Sequence, residues 1–72
     1  MNQPMEDLQT QIQRTLMNDS RTKEYGVEVL DNNGIVILRG AVPSREARDT
    51  IEAVVREVPG VISVNNEIDV LS

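Results

Sequence analysis

Side chains able to carry out catalysis are scarce in this chain of 72 residues, which has no histidine and no cysteine. It therefore lacks the commonest general base, the thiol nucleophile and the imidazole ligand for a metal ion. Ser44 could act as a nucleophile, but it directly precedes a segment with helical apolar spacing, where serine is typical as a helix cap. The sequence thus predicts a protein that is not an enzyme and has no cofactor and no small-molecule substrate.

One short segment has oxygen-bearing side chains that could hold a cation. Asp31, Asn33 and Gly34 are similar to the beginning of a calcium loop, but the later oxygen ligands and the final glutamate do not follow at the required spacing. An Asn-Gly pair is also typical of a tight β-hairpin, because both residues tolerate positive φ angles. The sequence favours the hairpin and predicts no metal site, although backbone carbonyls could still hold potassium.

Three arginines lie where the second predicted strand leads into the second predicted helix: Arg39, Arg45 and Arg48. They could contact lipid phosphates or an acidic partner. Opposite charges also lie four residues apart on that helix, in the pairs Arg45 and Asp49, Arg48 and Glu52, and Glu52 and Arg56. Such spacing favours ion pairs on the surface of a helix, and both interpretations stay open.

Charge and composition exclude several classes of partner. A net charge of -5 and a single aromatic residue, Tyr25, do not suit nucleic acid, which needs basic and stacking side chains. The start of the chain lacks the basic and apolar regions of a secretory signal, and no apolar run is long enough to span a membrane. We expect a soluble, cytoplasmic chain as written, or an excised part of a longer exported precursor.

Periodicity predicts a helix followed by a β-hairpin. Apolar residues at helical spacing form the first element: Met5, Leu8, Ile12 and Leu16. Pro4 suits the first turn of this helix, and residues 18–20 suit its end. The period then changes to two, and a turn at Asn33 and Gly34 pairs Leu30 with Ile37. The same register pairs Val29 with Leu38 and Glu28 with Arg39, whose opposite charges support it.

The remaining sequence predicts a second helix and a third strand. Ser44 caps a helix whose apolar stripe consists of Ala47, Ile51, Val54, Val55 and Val58. Pro59 and Gly60 end it, and alternation from Val64 to Val70 predicts the strand. The fold class is α+β with the order α-β-β-α-β, a small mixed three-stranded sheet and both helices on one face. Residues 1–72 then form one domain with a core from about residue 5 to 71.

Two glycine-bearing blocks of the sequence read Val27-x-Val29 then Asn33-Gly34-x-Val36-x-Leu38-x-Gly40-x-Val42, and Gly60-Val61-x-x-Val64-x-Asn66-x-Ile68-x-Val70. Together they resemble the BON domain, the family of bacterial osmotically inducible and nodulation proteins, from about Leu8 to Val70. The resemblance implies a noncatalytic module of periplasmic or envelope proteins. It implies roles in phospholipid contact, osmotic stress and protein docking, and one relative with a LysM domain binds potassium.

Several polar and glycine positions are predicted to be structural. Gly34, Gly40 and Gly60 suit a hairpin turn, a bend or close approach, and a helix C-terminus. Asn66 points toward the apolar face of its strand, where an unpaired amide would be costly, so we expect it to hydrogen bond to a loop.

The predicted docking surface is the sheet face away from the helices. It presents Leu30, Ile35 and Ile37, with Leu71 at its edge. An apolar patch on a small acidic domain is typical of contact with another protein, a second copy or lipid. Docking to a protein or to a second copy is the leading hypothesis, peripheral phospholipid binding through the arginines is the alternative, and potassium sensing is the second alternative.

Overall fold

Two helices and three strands follow one another in the order that the sequence predicts. A computed structural model describes residues 7–71. Its elements are α1 (Leu8–Asn18), β1 (Glu28–Asn32), β2 (Ile35–Val42), α2 (Arg45–Arg56) and β3 (Ser63–Val70). β2 is central, antiparallel to β1 and parallel to β3. The predicted mixed sheet and the α+β class are therefore confirmed.

The first helix begins at Leu8, about one turn later than a start at Pro4 would place it. Asp7 has an extended backbone and caps the helix, because its carboxylate accepts a hydrogen bond of 2.9 Å from the Thr10 N–H. Pro4 and Met5 lie outside the described residues. The helix ends at Asn18, within the predicted range.

The hairpin has the predicted register. Asn33 and Gly34 have φ angles of 55° and 92°, as the central residues of a type I′ turn require. Leu30 pairs with Ile37 and Glu28 with Arg39. A Cβ on Gly34 would lie 2.8 Å from the Ile62 side chain, so only glycine fits this turn without movement of its neighbour.

A single apolar core lies between the sheet and the two helices. Its fully buried members are Ile12 from α1, Val29, Val36, Leu38 and Val42 from the hairpin, and Ile51, Val54 and Val55 from α2. Ser44 caps α2 by accepting a hydrogen bond of 3.1 Å from the Ala47 N–H. α2 ends with its cap at Glu57, so Gly60, with a φ of 102°, lies in the connection beyond the helix end.

Gly40 is a point of close backbone approach, which is one of the two roles that the sequence predicts for it. Its φ is 153°, and an added Cβ would lie 3.0 Å from the carbonyl oxygen of Gly26. The backbone of the loop before β1 therefore approaches β2 more closely than any side chain would allow. This contact holds the start of the hairpin against the central strand.

Candidate docking surface

The three strands expose one face of the sheet, which we call the open face. Both helices cover the opposite face, where the even-numbered residues of β2 and β3 point toward the core. The strand register places the open-face residues in rows: Asn32, Ile35 and Ser63; Leu30, Ile37 and Asn65; Glu28, Arg39 and Glu67; and Ala41 and Asp69. The open face thus has a hairpin end, formed by the first two rows, and a far end, formed by the last two rows.

An apolar patch formed by Leu30, Ile35 and Ile37 occupies the hairpin end of the open face. Leu30 and Ile37 are direct cross-strand neighbours, and Ile35 lies two positions from Ile37 on the same strand. Leu30 is 37% exposed and Ile35 is 49% exposed, whereas Ile37 is half-buried between its neighbouring strands. Covering the exposed parts of Leu30 and Ile35 is worth about 1–3 kcal/mol.

Leu71 does not belong to this apolar patch. It is 59% exposed and follows the last residue of β3, where its N–H donates to the Val42 carbonyl at 2.8 Å. It lies six positions beyond Asn65, the strand neighbour of Ile37, which is about 20 Å at about 3.3 Å per residue. The charged row of Arg39 and Glu67 lies between them, so the predicted grouping of Leu71 with the patch is wrong.

The far end of the open face is acidic. Glu28, Glu67 and Asp69 lie there with one cation, Arg39, so three negative charges against one positive leave a net charge of -2. Arg39 Nε donates to Glu67 Oε1 at 3.2 Å. The predicted ion pair of Arg39 is therefore made to β3, not to its antiparallel neighbour Glu28, because the parallel register places Glu67 beside it as well.

Side-chain amides occupy one main-chain donor on each outer edge of the sheet. On β1, the Asp31 N–H donates to Gln9 Oε1 of α1 at 3.1 Å. On β3, the Ile68 N–H donates to Asn66 Oδ1 at 3.0 Å. These bonds occupy main-chain donors that an added strand would need. Contact through the open face is therefore more accessible than strand addition at an edge.

The side chain of Asn66 hydrogen bonds to a helix, whereas its position in the sequence predicts a hydrogen bond to a loop. Its Nδ2 donates to Glu52 Oε1 of α2 at 3.1 Å and to the Arg48 carbonyl at 3.5 Å. The hydrogen bond from Asn66, helped by one from Arg56, holds the pKa of Glu52 below its ordinary value of 4.5. A half-buried amide thus ties β3 to α2 through a charged acceptor.

The predicted arginine cluster is divided between the two sides of the sheet. Arg39 lies on the open face, whereas Arg45 and Arg48 belong to α2 on the covered side. Arg48 Nε lies 3.6 Å from its sequence neighbour Asp49. Of the three ion pairs predicted between residues four apart on α2, the structure has the one between Glu52 and Arg56, in which the carboxylate and guanidinium groups lie 2.9 Å apart. The three arginines therefore do not form one anion-binding surface.

Two exposed apolar side chains were missed by the sequence analysis. Ile62 is 75% exposed and contacts the hairpin turn at Gly34, and Met17 is 71% exposed on α1. Ile62 lies just before β3, where the alternation has not yet begun, and Met17 directly follows the buried Leu16. The signal in the sequence that could have identified Ile62 as exposed is its position shortly after Gly60, in the connection before β3.

Neither a metal centre nor a membrane span is found within residues 7–71. No three acidic side chains in this range come together as metal ligands. The helices of the same range are too short and too polar to cross a bilayer. The grooves beside the helices are shallow, such as one of about 440 Å³ between Gln11 of α1 and Val58 after α2.

Comparison with known proteins identifies the family of this fold. The model of the BON domain family matches residues 5–72. The chain is also similar to the outer membrane lipoprotein DolP of Haemophilus influenzae, with 35% identity over 66 residues. This match covers 90% of the chain and 34% of DolP, so the chain spans about a third of the length of that relative.

Proposed function

The chain belongs to the BON domain family, and from this premise we propose that it is a noncatalytic binding module of the bacterial envelope that docks to another protein through its open face. The similar protein carries the name outer membrane lipoprotein, which supports an envelope setting. The observation that carries the proposal is the apolar patch, in which Leu30 and Ile35 are exposed to solvent and Ile37 is half-buried beside them.

The free energy gained by burying the apolar patch limits the kind of docking that it can support. Burial of its exposed area contributes about 1–3 kcal/mol, which is less than the entropic cost of association alone. The acidic far end of the open face must therefore contribute through complementary charge, or the partner must be held nearby by other contacts. Both conditions favour a weak, specific contact inside a larger assembly.

Photo-crosslinking in cells that express the chain tests this proposal. A photoreactive amino acid replaces Ile35 on the open face or, as the matched control, Met17 on α1, which is also apolar and highly exposed. We expect one discrete protein adduct from position 35 that disappears with Leu30→Asp, and no such adduct from position 17. No adduct at 35, or the same adduct from both positions, would contradict docking through the open face.

Two other functions that the resemblance implies remain predictions. Phospholipid binding would use Arg45 and Arg48 of α2, since Arg39 lies on the other side of the sheet. Flotation with anionic vesicles at low salt, and its loss in an Arg45→Ala, Arg48→Ala variant, would support it. Potassium sensing predicts a higher melting temperature in potassium than in sodium, and equal melting temperatures would count against it.

A further inference from the structure

We propose that the open face receives a single amphipathic α-helix that carries basic residues beside its apolar stripe. The inference rests on the proposed docking function and names the structural class of the partner segment. It is drawn from the dimensions of the sheet, the donors occupied on its two edges and the distribution of charge.

The open face has the dimensions of one helix. The axes of the two outer strands are about 10 Å apart, and eight residues of β2 or β3 extend about 26 Å. An α-helix with its side chains is about 10–12 Å wide, and about 17 residues cover that length. One helix along the strands would complete a three-layer arrangement, with α1 and α2 on the opposite face.

Strand addition and pairing with a second copy fit the open face less well. The hydrogen bonds from Asp31 to Gln9 and from Ile68 to Asn66 occupy donors on both outer edges. Strands of five, eight and eight residues present roughly 330 Å², less than half of the 800 Å² that each partner of a stable complex typically buries. A free dimer would need that larger area, whereas a helix held nearby in a larger assembly needs only a weak contact. Two copies would also bring together chains that each carry a net charge of -5.

The charge pattern specifies what the helix must carry. Leu30, Ile35 and Ile37 require an apolar stripe at the hairpin end of the open face. The far end, with Glu28 and Asp69 among its acidic residues, requires lysine or arginine beside that stripe. An anionic membrane surface lacks this complementarity, because it would meet the same carboxylates with the same sign of charge.

The test is a titration of the isotope-labelled chain with two synthetic helices, followed by NMR. Both peptides have about 17 residues and the same leucine stripe. One carries lysine on the flanking positions and the other carries glutamate. We expect the lysine peptide to shift open-face resonances of all three strands, with an affinity at least about tenfold higher than that of the glutamate peptide.

Two variants separate apolar contact from general charge attraction. Ile35→Asp makes the open face more acidic, so a merely electrostatic contact would strengthen, whereas we expect the lysine peptide to bind about tenfold more weakly. Met17→Asp adds the same charge on α1 and should leave the affinity unchanged.

Equal affinities for the two peptides, shifts on α1 or α2 alone, or no binding would overturn the helix inference. The crosslinking experiment decides the proposed function separately. A discrete adduct at position 35 without peptide binding would retain docking through the open face and reject the helix as its occupant.

Discussion

Replacing Asn66 by alanine removes three side-chain hydrogen bonds at the outer edge of the sheet. The amide donates to Glu52 on α2 and, at 3.5 Å, to the Arg48 carbonyl, and it accepts from the Ile68 N–H. A hydrogen bond to a charged group contributes about 1.5–3 kcal/mol, and a neutral one about 1 kcal/mol. These sites are partly open to water, which can replace the lost partners, so we expect the free energy of unfolding to fall by about 2 kcal/mol.

This loss depends on pH because Glu52 is ionised in the stronger bond. The pKa of Glu52 in the folded state lies below the ordinary value of 4.5. The ionised carboxylate therefore contributes fully to the free energy of unfolding above pH 4.5, and this contribution disappears as the pH falls through the folded pKa. In Asn66→Ala the lowering of the Glu52 pKa should be smaller, since its largest cause is gone. The stability difference between parent and variant should therefore be largest near neutral pH and shrink at about pH 3.

Urea unfolding followed by circular dichroism measures this difference at both pH values. In thermal unfolding at neutral pH, followed by the same signal, we expect a melting temperature lower by about 8–16 °C for a domain of this size. Asn65→Ala is the matched control, because Asn65 is an exposed neighbour whose amide donates to Glu67 on the same strand, and it should change stability by less than about 0.5 kcal/mol. Equal effects of the two substitutions would refute the role given to Asn66.

Three further predictions concern single local features. Ser44→Ala removes the N-cap of α2 and should lower the free energy of unfolding by about 1 kcal/mol, measured by urea unfolding; no change would mean that the cap is dispensable. Gly34→Ala should lower the free energy of unfolding by about 1–3 kcal/mol. Adding Ile62→Ala should recover part of this loss, because the new Cβ would lie 2.8 Å from the Ile62 side chain. A double variant no more stable than Gly34→Ala alone would contradict that contact. The Asp19 carboxyl, hydrogen bonded by Arg21, should titrate by NMR with a pKa of about 2, and a midpoint near 3.8 would contradict these bonds.

Local sequence rules predicted the hairpin because its signals are all close together in the chain. Asn33 and Gly34 set the turn, and the alternation on either side then fixed the pairing of Leu30 with Ile37. The same alternation correctly separated the buried Val36 from the exposed Ile35. The apolar patch could thus be predicted as a set of residues on one face.

Contacts between distant parts of the chain could not be predicted in this way. Gln9 and Asp31 are 22 residues apart, and Arg39 and Glu67 are 28 apart, so their bonds depend on how α1 and β3 are placed. The grouping of Leu71 with the patch failed for a related reason. Alternation gives the face on which a residue of β3 lies, but which residue of β2 lies beside it depends on the parallel register.

The most direct test of docking through the open face is cross-saturation between the chain and the protein captured from position 35. In the purified complex, irradiation of the partner should attenuate the methyl signals of Leu30, Ile35 and Ile37. The signals of the buried Leu38 and of Met17 on α1 should remain unchanged. Attenuation of Met17 with none at the apolar patch would contradict the account.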